Sequence, residues 1–200
     1  MDLLPGSMKF FGKINIMPGK ESYMNTYIAL FRGVNVGGKN ILPMKELVAI
    51  IESLGYSNVQ TYIQSGNAVF QSKKKIEKNG AGDIGREILK KKGFEPKILL
   101  LSSKELQDVI KDNPFSTDVG KALHFFFLDS QPKEPNLERL ESLKVESEEF
   151  KMAKSVFYLY APDGVGRSKL AAAVEKTIDV PVTARNWNTV SKLKSMVENA

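Results

Sequence analysis

Two hundred residues, 42% hydrophobic and 26% charged, are enough for one large domain or two small packed units with a sizeable core. The absence of cysteine and the single histidine exclude a disulfide scaffold, thiol catalysis and cysteine-ligated or multi-histidine metal, and the lack of cysteine fits a reducing compartment. A net charge of +6 permits an anionic partner without requiring one, and no apolar run approaches the roughly 20 residues of a membrane span.

Residues 1–23 lack the basic start, long apolar stretch and small-residue cleavage site of a signal peptide. They read as a poorly ordered extension before patterned sequence begins at Met24. Thr26 to Phe31 is an apolar run expected as a strand. A loop from Arg32 to Asn40 follows, and Pro43 opens a helix whose apolar face is Met44, Leu47, Val48, Ile51 and Leu54, with Gly55 as its stop. Val59 to Gln64 and Ala68 to Gln71 are expected as strands around a tight turn at Ser65-Gly66-Asn67. Ser72 to Gly82 is a polar, lysine-rich loop. A helix over 84–92 and a strand over 97–101 complete a β-α-β-β-α-β order, the ferredoxin-like split unit.

Ser102 or Ser103 caps a linking helix with Leu106, Val109 and Ile110 on its apolar face, and Asn113-Pro114-Phe115 ends it. The pattern then repeats. A strand over 122–128, a helix over 137–143, a hairpin of 145–150 with 155–160, a helix over 167–178 and a strand over 180–183 precede a closing helix from Trp187 to Glu198. The fold class is therefore α+β. Two ferredoxin-like β-α-β-β-α-β units pack together, with a linking helix and a C-terminal helix. The divisions are an N-terminal extension over 1–23, units over 24–102 and 122–200, and a linking helix and loop over 103–121.

In such a unit the loop after the first strand and the turn between the second and third strands share one end. Arg32–Asn40 and Gln64–Asn67 should therefore converge, as should Asp163–Lys169 and Thr183–Thr189 in the second half. Glycines let backbone N–H groups approach a phosphate, and a following helix offers its positive end. Arg32, Asn35, Gly37, Gly38, Lys39 and Asn40 thus suit an anion, although the spacing is not that of a Walker A loop. Against this stands a turn that needs positive φ at its glycines, with asparagines bonding their own backbone. Ser65 and Asn67 are candidate hydrogen-bonding contacts, and no base is evident to make Ser65 a nucleophile.

Arg167, Ser168 and Lys169 fall in the expected first turn of a helix, where cations oppose the helix dipole and point to an anionic partner. The alternative is that Asp163 simply pairs with them. Arg185 suits bidentate contact with phosphate or carboxylate, and Asn186 or Asn188 is placed to cap the last helix. Trp187 reads first as a core anchor and second as a base-stacking platform. Alternation puts Leu123, Phe125 and Phe127 on one face of their strand and His124, Phe126 and Leu128 on the other, so that strand is covered on both sides. His124 is then a satisfied core histidine, and a covered sheet argues against an open RNA-binding face.

Tyr27 to Asn40, Thr61 to Asn67, Asn113-Pro114-Phe115, Gly166 to Leu170 and Thr183 to Val190 together resemble the domain of unknown function 1697 family of bacterial proteins. The resemblance runs from Met24 to the end. It implies a cytoplasmic α+β protein, supports the duplicated build, and brings no established activity, substrate or catalytic residue. The residues therefore point first to a phosphate-bearing or other anionic ligand: a nucleotide, a phosphorylated metabolite or nucleic acid. An enzyme on such a ligand, with Asp163 as the only motif-loop carboxylate, is a second reading. A structural or partner-binding protein, whose loops merely hold the halves together, is a third. No cofactor, metal or membrane contact is expected, and the oligomeric state is left open.

Overall fold

The computed structural model describes residues 24–77 and 80–200. The expected extension over 1–23 lies outside the described residues. The fold is mixed α+β, with two four-stranded antiparallel sheets and, among the described residues, six α-helices.

The first sheet contains β1 (Asn25–Arg32), β2 (Ser57–Thr61), β3 (Asn67–Ser72) and β4 (Lys97–Ser102), in the order β2-β3-β1-β4. Between its strands run α1 (Met44–Ser53) and α2 (Ala81–Lys92). After α3 (Ser103–Lys111) the second sheet contains β5 (Leu123–Leu128), β6 (Glu149–Met152), β7 (Val156–Tyr160) and β8 (Val182–Asn186), in the order β6-β7-β5-β8. Helices α4 (Leu137–Leu143) and α5 (Lys169–Ile178) belong to this half, and α6 (Trp187–Glu198) closes the chain. The two halves thus share one element order and one strand order.

Side-chain alternation along the strands sorts the core into three clusters. Ile28 and Leu30 of β1 face inward with Leu123, Phe125 and Phe127 of β5, and Leu106 and Val109 of α3 and Val190, Leu193 and Met196 of α6 fill the space between. The opposite face of β1, with Ala29 and Phe31, packs under α1 and α2. The opposite face of β5, with Phe126 and Leu128, packs under α4 and α5. The layers are therefore helices, sheet, two helices, sheet, helices. Helix α6 contacts strands of both sheets. Both faces of each sheet are covered, as the apolar alternation in β5 predicts.

Several boundaries move for local reasons. β2 ends at Thr61 rather than Gln64, because Ile63 takes φ +49° and turns the chain. The turn is closed by Tyr62 N–H on the Asn67 carbonyl at 2.9 Å and Asn67 Nδ2 on the Tyr62 carbonyl at 3.0 Å. Helix α5 begins at Lys169 rather than Arg167, since Val165–Arg167 forms a short 3-10 turn and Ser168 caps the helix. β6 starts at Glu149 rather than Val145, and β8 spans Val182–Asn186 rather than 180–183. The linking helix starts with a reciprocal Ser102–Glu105 capping box.

Candidate functional site

The loop after β1 is a small built object. Val36 and Lys39 form an isolated bridge around Gly37 and Gly38, whose φ values are +57° and +73°. Two residues at positive φ make this a tight primed turn, which glycine adopts without steric cost. Asn35 and Asn40 also stand at positive φ, +54° and +51°. Asn35 Oδ1 accepts from the Leu42 N–H at 2.7 Å, and its Nδ2 donates to the carbonyls of Leu42 at 2.9 Å and Gln64 at 2.8 Å. Asn40 Nδ2 donates to the Gly33 carbonyl at 2.9 Å. Both asparagines therefore hold their own loop, as the structural alternative to anion binding requires.

The two polar segments of the first half do converge. Asn35 reaches Gln64, and the Phe31 N–H donates to the Gly66 carbonyl at 2.9 Å. Gly66 fits here because a Cβ at that position would lie 2.5 Å from Val34 Cγ2 and 2.6 Å from Phe31 Cβ. Asn67 Nδ2 also reaches Ser65 Oγ at 3.2 Å, so the Ser65 hydroxyl meets an amide and no base.

Arg185 of β8 enters this junction from the second half. Its Nε donates to Asn67 Oδ1 at 2.6 Å, and its Nη2 reaches the carbonyls of Phe31 at 2.8 Å, Gly66 at 3.1 Å and Ser65 at 3.3 Å. Nη1 donates to the Ala184 carbonyl at 2.8 Å. Among the described residues no carboxylate pairs with the guanidinium, and burial pulls its pKa down to about 10. Arg32 reaches the other way. It meets Glu175 of α5 through Nη1 at 2.5 Å and Nη2 at 2.8 Å, and the Val182 carbonyl at 3.2 Å. The shared hydrogen bonds raise the Arg32 pKa and lower that of Glu175. Each arginine thus joins one half of the chain to the other.

The second-half segments leave the same end of their sheet, since Tyr160 pairs with Leu123 and Asn186 with His124, but among the described residues no side-chain hydrogen bond joins Asp163–Lys169 to Thr183–Thr189. Asp163 accepts from Ser147 Oγ at 2.6 Å and makes no ion pair with Arg167 or Lys169. Ser168 is buried, and its hydroxyl accepts from the Ala171 N–H at 2.9 Å. Because the helix starts at Lys169, Arg167 lies in the preceding 3-10 turn, outside the helical first turn that the sequence suggested. Arg167, Lys169 and Lys39 are exposed, and their side chains make no hydrogen bond or ion pair among the described residues. Asn186, not Asn188, caps α6 by accepting from the Thr189 N–H at 3.1 Å. Trp187 stacks on Phe125 with ring centroids 6.0 Å apart and packs on the central cluster, which fits the anchor rather than the base platform.

His124 is buried, with Nδ1 3.2 Å from the Ala122 carbonyl. Burial lowers its pKa, against a smaller raising effect of that carbonyl.

A cavity of about 50 Å³ lies where the halves meet, lined by Arg32, Lys97, Asp129 and Val182 among others. That is far below the roughly 300–1,000 Å³ of a small-molecule pocket. A larger cleft of about 550 Å³ sits at the other end of the first sheet, beside Tyr56 and Lys73–Lys75, and includes none of the candidate binding residues.

The sequence did not reveal Glu175 as the partner of Arg32, because a glutamate in mid-helix carries no positional signal. Nor did it show that Val36, Ile41 and Ile63 stand exposed around the first loop.

No curated protein matches the chain. A solved structure, that of the conserved bacterial protein SP0830 from Streptococcus pneumoniae, is similar with a TM-score of 0.61 and 25% identity, covering 88% of this chain and 99% of that one. The matching family model is described as Protein of unknown function (DUF1697) and spans residues 24–158, the β1 loop, the Asn67 turn and most of both sheets included, so the chain belongs to that family.

Proposed function

We propose that the chain is a binding module made of two ferredoxin-like units, residues 24–102 and 122–200, joined by a linking helix and loop over 103–121. In this reading the roots of its glycine- and asparagine-rich loops lock the units together, and their exposed tip meets a macromolecular partner. A cytoplasmic location, suited to a chain without cysteine, belongs to the same reading.

The observation that carries it is the engagement of Arg185 with four acceptors of the other unit. A phosphate at this junction would have to draw Arg185 from Asn67 and three carbonyls, leaving them unpaired. Arg32 is likewise held by Glu175. The other candidate cations are exposed, Lys39 on the β1 loop and Arg167 and Lys169 at the start of α5, and suit diffuse contact with an acidic surface better than a phosphate pocket. An enzyme needs a nucleophile or an acid–base pair within reach of one substrate. Ser65 has no base beside it, and Asp163 is bonded to Ser147.

The test is thermal denaturation with inorganic phosphate, nucleotides, sugar phosphates and short oligonucleotides. A ligand specific for the native state adds about 2.7 kcal/mol at about 100 times its dissociation constant, so binding would be plain. No shift is expected from any of them. A shift that disappears in Arg32→Ala, a variant expected to fold, would overturn the reading in favour of an anion site.

A further inference from the structure

We infer that the exposed aliphatic face carrying Val36, Ile41 and Ile63 docks an acidic, aliphatic-rich peptide segment of a partner protein. This rests on the reading of the chain as a binding module and names the chemistry of its partner.

Val36, Ile41 and Ile63 are 63%, 52% and 50% exposed. They lie on two segments that Asn35 ties together through the Leu42 and Gln64 carbonyls. The face is set before any partner arrives. Asn35, Gly37, Gly38, Asn40 and Ile63 all hold positive φ, and the asparagine hydrogen bonds fix the loop on the turn. A rigid surface loses little conformational entropy on binding, so apolar contact there converts efficiently into affinity. Ile63 is the least economical of these positions. A β-branched residue at φ +49° is strained. Asparagine or glycine would relieve that strain and cover less apolar surface.

Charge selects the partner. From Arg32 to Lys45 and from Thr61 to Ala68 there is no aspartate or glutamate. Arg32 is neutralised by Glu175, and Glu46, the next acidic residue, is held by Lys92 at 3.0 Å. Lys39 and Lys45 are exposed with no acidic partner among the described residues. Aliphatic anchors with two free lysines on the same segment complement an acidic segment with aliphatic side chains. Nucleic acid would call for exposed aromatic platforms. Here Tyr62 and Trp187 are turned onto the central core. A second copy in a two-fold contact would set the same lysine-bearing face against itself.

The experiment uses the full chain and fluorescent peptide pools. One pool mixes Asp and Glu with Leu, Ile and Val; its counterpart carries Lys and Arg in place of the acids. Phosphatidylserine vesicles, a mixed-sequence oligonucleotide and a concentration series of the chain alone run in parallel. The acidic pool is expected to bind and the basic pool not. The double variant Val36→Ser, Ile63→Asn and the single variant Lys39→Glu should each weaken binding by about tenfold or more. The Ile63→Asn single variant should melt no lower than the parent, because asparagine tolerates this backbone region, so lost binding in the double variant is not lost folding.

The inference falls if the parent ignores the acidic pool, binds both pools alike, or binds as well in the variants. It also falls if vesicles, the oligonucleotide or self-association prove to be what the variants abolish. Those failures leave the binding-module reading standing as long as the phosphate screen is silent. An Arg32-dependent phosphate effect would overturn that reading itself.

Discussion

Gly66 and Gly38 both stand at positive φ, +77° and +73°, in the polar turns of the first half. A methyl group added at Gly66 would press on Val34 and Phe31, whereas at Gly38 it meets nothing within 4 Å. The root of the loops, where Arg185 crosses from β8, is packed and bonded like a core. The tip at Val36–Lys39 is open on all sides. Glycine, asparagine and cation recur at both places. What separates them is what surrounds the backbone, so composition alone does not distinguish a lock from a contact surface.

The root should be the easiest place to break the molecule. Gly66→Ala adds a clash to an unfavourable backbone conformation and should cost about 2–5 kcal/mol, read as a fall in denaturation midpoint. Arg185→Ala removes the donors that satisfy Asn67 and three carbonyls of the other half and should cost about 3 kcal/mol, or roughly 6–12 °C in Tm for a chain of this size. Arg185→Lys keeps the charge without the planar fork and should recover only part of that loss. If Arg185→Ala melts with the parent, the junction is no lock. Faster amide exchange across 62–67 and 182–186 would mark the same opening locally.

The secondary structure was legible because its signals are periodic. The β5 run gave a doubly covered strand, Ser102 a capped helix start, and Gly55 a helix end with a left-handed glycine. The convergence of Arg32–Asn40 with Gln64–Asn67 followed from connectivity alone. The docking of the halves did not. Arg185 and Asn67 are 118 positions apart, and nothing local announces that they meet. The arginines looked free for phosphate because a sequence displays charge without its partners. The exposed isoleucine was hidden for the opposite reason, since Ile63 reads as strand and its positive φ is imposed by the turn that Asn67 closes.

At the tip the same kind of substitution should be mild. Gly38→Ala meets no atom, and only the left-handed backbone resists it, at about 1–2 kcal/mol. The ratio of the Gly66→Ala loss to the Gly38→Ala loss measures directly how differently root and tip are packed. Equal losses would mean that backbone strain, and not packing, governs both. Arg32→Ala should be smaller again. Its pair with Glu175 is 42% and 40% exposed, so solvent screens it, and about 0.2–1 kcal/mol is the expected cost, shrinking as salt is added.

Acid titration sharpens the comparison last, because two groups beside β8 respond in separate windows. His124, paired in register with Asn186, is buried, and burial holds its pKa below the ordinary 6.5. Above 6.5 both folded and unfolded chains carry it neutral, and stability is complete. As the pH falls below 6.5 the unfolded chain takes up the proton first, so stability declines until the folded histidine also titrates. Glu175, lowered by its hydrogen bond to Arg32, contributes above its ordinary 4.5 and loses that contribution as the pH falls through its folded value. Denaturation midpoints between pH 6.5 and 4.5 should therefore flatten in His124→Leu and keep their slope in Glu175→Gln. A slope that persists in His124→Leu would assign the loss to other groups. A slope that vanishes in Glu175→Gln would mean that the exposed pair titrates as part of a larger network around Arg32 and Lys97.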